Sequence, residues 1–185
     1  MIMKEISLHL LDIAENSIAA GAKNVIVTVE VDHGGDMLRA TVEDDGCGMD
    51  GEQAKRVLSP FATSRTTRKV GLGIPFFKEG AEGCGGDFWL KSEKGVGTAI
   101  SASYRISHID RPPLGDMAET MLTVVCCNPE VDFVYLYRVD GAEFRFDTKE
   151  IRATLGPEVP LNLPQVAAWI KDYLNEGIRE LNGGV

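Results

Sequence analysis

No stretch of this 185-residue chain offers the roughly 20 consecutive apolar residues that a bilayer-spanning helix needs. The N-terminus, interrupted by Lys4, Glu5 and His9, has no signal-peptide pattern. The expected location is the cytoplasm, without membrane association. Cysteine is scarce: four residues, at 47, 84, 126 and 127, show no Cys-x-x-Cys spacing, and the adjacent pair Cys126-Cys127 is poorly placed for a mutual disulfide. They are expected to stay reduced and to act as small hydrophobes. Of the three histidines, His33 and His108 have no ligand-like spacing with each other or with cysteine and read as surface residues. Positive charge is the minority sign, 19 Lys and Arg against 28 Asp and Glu, a net −9. Lys and Arg neutralising phosphates dominate nucleic-acid binding, so this balance argues against a nucleic-acid surface.

What remains is a globular chain with 44% apolar residues, enough for one good core with a small appendage. From Glu5 to Ala20, Ile6, Leu10, Ile13 and Ser17 recur at helical spacing, and Gly21 stands where a left-handed C-cap is wanted. Residues Asn24 to Asp32 and Met37 to Glu43 read as strands, joined by His33-Gly34-Gly35-Asp36, whose glycines suit a tight hairpin. Asp50 and Gln53 form the pattern of a capping box for a short helix ending near Leu58. Ser59 to Val70 reads as a loop. A second long helix is expected from about Gly71, with Pro75 tolerable in its first turn, weakened by the glycines from 80 onward. Two further strands follow, about Asp87 to Ser92 and Thr98 to Ile106.

The resulting order predicts an α/β (α+β) two-layer sandwich, with helices on one face of a mixed, mostly antiparallel sheet. Residues 1–106 form the expected main domain, and 107–115, with Pro112-Pro113, an expected linker. Residues 116–185 form an expected small α+β C-terminal domain. Its reading is a helix over 116–127, a hairpin turning at Asp140-Gly141, and helices over 148–155 and 164–182. The stripe Val166, Trp169, Ile170, Tyr173, Leu174, Ile178 and Leu181 should pack on that hairpin.

Four elements, in order, carry chemistry. Asp12 and Asn16 are four apart and share a helix face. Asp44 ends a strand at Asp44-Asp45-Gly46-Cys47-Gly48, where a carboxylate can accept from an exocyclic amine while Gly46 and Gly48 remove side-chain bulk. Gly71-Leu72-Gly73 precedes a helix, so backbone amides there can face a polyphosphate. Upstream of it, Thr63, Arg65, Arg68 and Lys69 concentrate cations and hydroxyls that could close over phosphates. Gly95-Val96-Gly97-Thr98 is the fourth element.

Together these motifs resemble the GHKL superfamily. It comprises sensor histidine-kinase catalytic domains, anti-sigma kinases, type II topoisomerase and chaperone ATPases, and MutL-type ATPases. The resemblance spans roughly residues 5 to 105 and implies ATP and Mg²⁺ as ligands. It assigns Asp44 to the adenine amino group, Thr98 to a water-mediated contact with the base, and Asn16 to Mg²⁺. Asp12 stands where hydrolysing members carry a glutamate. The aspartate is shorter by about 1 Å, and a misplacement of that order costs roughly 100-fold in rate. The resemblance therefore implies ATP binding more directly than rapid hydrolysis.

The activity it implies is phosphorylation or regulation of a cytoplasmic protein partner, with Asp12 orienting the acceptor. Two alternatives are an ATPase switch of the MutL kind that forms a homodimer on ATP, and a non-catalytic, nucleotide-gated binding module. His9 is not read as a phosphoacceptor, because the first helix should be packed on the sheet.

Overall fold

A computed structural model describes residues 5–59, 73–156 and 158–183. Helix α1 (Ile6–Ala19) is followed by strands β1 (Asn24–Asp32) and β2 (Met37–Asp44), then helices α2 (Gly51–Val57) and α3 (Gly73–Gly83). Strands β3 (Phe88–Glu93) and β4 (Gly97–Arg105) come next, then α4 (Met117–Cys127), β5 (Asp132–Val139), β6 (Ala142–Asp147), α5 (Thr148–Leu155) and α6 (Pro164–Leu181). The strands form one six-stranded sheet in the order β3-β4-β2-β1-β5-β6. All pairs are antiparallel except β1 with β5.

Alternation decides which face is covered. Val25, Val27 and Val29 of β1, Leu38, Ala40 and Val42 of β2, and Phe133, Tyr135 and Tyr137 of β5 are all buried. They meet the apolar faces of α1, α3, α4 and α6, where Leu10, Phe77, Met121 and Ile170 have no exposed surface. Each such side chain contributes about 1.5–3 kcal/mol.

Local signals act as the sequence suggests at several ends. Gly21 is left-handed at φ 81°, and the α2 capping box forms, with Asp50 accepting from Glu52 and Gln53 amides while Gln53 Oε1 accepts from the Asp50 amide. The β1–β2 hairpin differs in detail: its left-handed residue is Asp36, at φ 55°, rather than either glycine. Gly35 is needed for space instead, since a Cβ there would lie 2.5 Å from Asp32 Oδ2, whose partner oxygen accepts the Gly35 amide.

The expected boundary after residue 106 is corrected by the pairing. Strand β5 lies beside β1, Asn24 opposite Asp132 and Val31 opposite Val139, so the described part of residues 116–183 extends the same sheet and core. The segment expected as a linker is docked too: the amides of Ile6 and Ser7, unpaired within α1, donate to the carbonyls of Pro113 and Leu114 at 3.0 and 2.8 Å. Helix α6 packs on the hairpin and on α4, burying Ile170 and Leu174 of its stripe, while Trp169 and Tyr173 of the same stripe stay exposed. It approaches closely enough that a Cβ at Gly177 would sit 2.1 Å from the Phe144 ring.

Candidate functional site

A cavity of about 500 Å³ opens between α1, the loop after β2, the start of α3 and strand β4. Asn16, Ser17, Asp44 and Thr98 supply its polar groups, and Ile13, Met49, Ile74 and Ile100 its apolar walls. A broader depression of about 580 Å³ along α6 is lined by that one helix and gathers no polar groups from other elements.

Asp44 is the last residue of β2, and both its oxygens are held. Oδ1 accepts the Gly46 amide at 2.9 Å, and Oδ2 accepts the Ser17 hydroxyl at 2.6 Å. Ser17 lies on the buried stripe of α1, one turn after Ile13, whose carbonyl is 3.2 Å from the same hydroxyl. It was not among the expected site residues, although a serine in an otherwise apolar stripe is a readable signal. Thr98 is directly opposite Asp44 in the β2–β4 register and bonds Ser92 Oγ at 2.8 Å.

The loop from 44 to 49 is preorganised by its neighbours. The Cys47 amide donates to the Ala20 carbonyl at 2.9 Å, the Gly95 amide to the Cys47 carbonyl at 2.8 Å, and the Met49 amide to Ser92 Oγ at 2.8 Å. Gly48, at φ 60°, could not carry a side chain, because its Cβ would fall 2.0 Å from the Glu93 carbonyl oxygen. Gly97, at φ 145°, likewise presses on the Asp44 carbonyl oxygen. Two of the glycine motifs thus interlock with each other, a reason for glycine beyond room for a ligand. Nothing in the sequence marks Ser92 for its part.

The second cluster lies along α1. Asn16 Nδ2 donates to Asp12 Oδ2 at 3.3 Å. A carboxylate only accepts, so this bond leaves the Asn16 oxygen available. Burial pushes the Asp12 carboxyl above its ordinary range, partly opposed by the Asn16 hydrogen bond and by His9. Gly73 seats the first turn of α3 against this carboxylate: a Cβ there would lie 1.8 Å from Asp12 Oδ2. Thr63, Arg65, Arg68, Lys69, Gly71 and Leu72 lie outside the described residues.

His9 is 5% exposed, packs its ring 5.5 Å from that of Phe77, and leaves Nδ1 without a hydrogen-bond partner among the described residues. Its burial fits the expectation that it is no phosphoacceptor. Desolvation holds the imidazole below its ordinary pKa, with Asp12 and the Gly73 backbone opposing. The unfolded chain therefore takes up the histidine proton more readily, and His9 removes stability as pH falls from its ordinary value towards the depressed one. Asp12, shifted upward, acts in the opposite direction at lower pH. Urea denaturation at pH 7.5 and 6.0 is expected to show a larger loss for the wild type than for His9→Gln; equal losses would contradict a desolvated imidazole.

The chain is 32% identical over 96 residues to an uncharacterized sensor-like histidine kinase of Rhizobium meliloti, covering 49% of this chain and 18% of that protein. It is 30% identical over 83 residues to the sensor histidine kinase WalK of Bacillus subtilis, covering 42% and 14%. It thus spans less than a fifth of these relatives. Among solved structures, the Aquifex aeolicus MutL ATPase domain complexed with ADP superimposes with a TM-score of 0.54 at 16% identity, covering 83% of this chain and 70% of that one. The N-terminal domain of a DNA repair protein gives 0.56 at 12%, covering 84% and 58%. These two likenesses show the fold, a two-layer α/β sandwich. The family model for histidine kinase-, DNA gyrase B- and HSP90-like ATPases matches residues 3–108, more than half of the 185, and the chain belongs to that family.

Proposed function

We propose that the chain binds Mg·ATP in this cavity and uses it to phosphorylate or regulate a protein partner. The observation that carries the reading is the Asp44 carboxylate, fixed on two sides by Ser17 and Gly46 at the wall of a cavity that also has apolar walls in Ile13, Met49, Ile74 and Ile100. A fixed acceptor between apolar walls suits a flat base with one exocyclic amine. Adenine offers that amine; guanine presents a carbonyl on the same edge and would face an anion.

The remaining residues are assigned to the phosphates. Asn16 lies one helical turn from Asp12, and its free amide oxygen fits a hard cation that keeps few protein ligands. Mg²⁺ bound there with ATP would neutralise charge on the polyphosphate. The Gly71-Leu72-Gly73 run ahead of α3 is assigned to the polyphosphate, which a helix N-terminus suits. Thr63, Arg65, Arg68 and Lys69 complete the proposed phosphate contacts. Asp12, hydrogen-bonded to Asn16 one turn away, would orient an incoming hydroxyl, imidazole or water.

The likeness to sensor kinases favours a protein acceptor. Asp12, one turn before Asn16 and bonded to it, suits a second reading, water as acceptor and a nucleotide-switched ATPase. Incubating the chain with Mg²⁺ and γ-labelled ATP, with and without cytosolic extract, separates them. Label on a protein, lost in Asn16→Ala, is the expected result. Free phosphate from the chain alone, lost in Asp12→Asn, would replace the kinase reading by the ATPase one.

A further inference from the structure

We propose that Lys149, which lies beyond the residues matched by the family, is a positioning residue for the adenine-binding loop, acting through Asn24 and Asp45. This inference rests on the adenine reading of the cavity.

Asp45 is adjacent to Asp44 but does not line the cavity. Its Oδ1 accepts the amides of Lys23 and Asn24 at 2.7 and 2.8 Å, and its Oδ2 accepts Asn24 Nδ2 at 2.6 Å. Since Asn24 Nδ2 must donate to a carboxylate, its Oδ1 faces the other way and requires a donor. Lys149 Nζ supplies one at 2.6 Å. The same ammonium lies 3.6 Å from Asp132 Oδ2, and Asp132 is the residue opposite Asn24 where β1 and β5 pair. One cation thus joins the first rung of the parallel pair to the loop that aims Asp44.

The base of Lys149 is firmly placed. Its amide donates to Asp147 Oδ1 at 2.8 Å, and the neighbouring Thr148, fully buried, accepts the Phe133 amide on Oγ1 at 2.9 Å. Arg152, one turn later, pairs with Asp132 and donates to the carbonyls of Pro129 and Val131. A shift of α5 against β1 is therefore transmitted to Asp45, and the backbone of 44–46 moves with it. Coupling of this kind is reciprocal, so occupancy of the cavity also biases how α5 sits.

The test uses the full chain and a fluorescent ADP analogue, comparing wild type, Lys149→Met, Lys149→Arg, Asn24→Ala and the Lys149→Met/Asn24→Ala double variant. Lys149 is 59% exposed, so its replacement leaves the core intact. Lys149→Met is expected to weaken binding about three- to fivefold, as for a hydrogen-bonded surface charge. Lys149→Arg should recover most of that loss, and the double variant should bind no worse than the weaker single one. Cys47, exposed in the same loop, should be alkylated faster in Lys149→Met, with exposed Cys127 unchanged as the control. Binding by Lys149→Met equal to wild type, or losses that multiply in the double variant, would overturn the relay while leaving the adenine reading standing. A wild type that does not bind the analogue would overturn both.

Discussion

Asp44→Asn is expected to weaken ATP binding about 100-fold without loss of fold, the cost of losing a charged hydrogen bond and leaving a half-buried donor opposed by another donor. The geometry makes the substitution informative. Two donors point at this side chain: the Gly46 amide, which can do nothing else, and the Ser17 hydroxyl, which can turn to the Ile13 carbonyl 3.2 Å away. An asparagine will therefore place its oxygen on Gly46 and its amide nitrogen towards Ser17 and the cavity. The adenine amine then meets a donor where it had an acceptor. Calorimetric titration measures the loss, and an unchanged melting temperature separates it from unfolding. Affinity equal to wild type would remove the assignment of the base.

Asp12→Asn is expected to abolish turnover or transfer, by about 100-fold or more, with ATP affinity within about threefold of wild type. The asparagine oxygen can still accept from Asn16, so the shape of the cluster survives while the proton acceptor is gone. The packing here also bears on the glutamate that the resemblance implies at this position in hydrolysing members. Gly73 already presses its backbone on this carboxylate, with no room for a Cβ. A longer side chain would displace the first turn of α3 or leave the cluster, so Asp12→Glu is expected to slow turnover further. Single-turnover release or transfer of labelled phosphate measures both, and a faster Asp12→Glu enzyme would contradict this packing argument.

Much of the architecture could be read from local pattern because local physics decides it. Alternation in Asn24–Asp32 and in the β5 hairpin set which residues face the helices, and Asp50 with Gln53 set the start of α2. The same patterns are silent about which strand lies next to which. Val131, Phe133, Tyr135, Tyr137 and Val139 announce a buried face, yet nothing in them names β1 as a parallel neighbour, and a separate C-terminal unit was the natural expectation. Within the candidate site, Asp12, Asn16, Asp44 and Thr98 were named from spacing and motif order. The structure brings Asn16, Asp44 and Thr98 to one cavity and bonds Asp12 to Asn16. Ser17, Ser92 and Lys149 were not, because their roles depend on contacts 27, 43 and 125 residues distant in sequence. The tight glycines at 48 and 97 were visible as motifs, but their packing against Glu93 and Asp44 carbonyls was not.

The central claim is that the cavity beside Asp44 selects adenine. Calorimetric titration of the wild-type chain with ATP and with GTP, both with Mg²⁺, tests it most directly. Saturable ATP binding is expected, with GTP weaker by about 100-fold or more, because a fixed, half-buried acceptor rejects a base that offers it another acceptor. Equal affinity for the two nucleotides, or none for ATP, would contradict it.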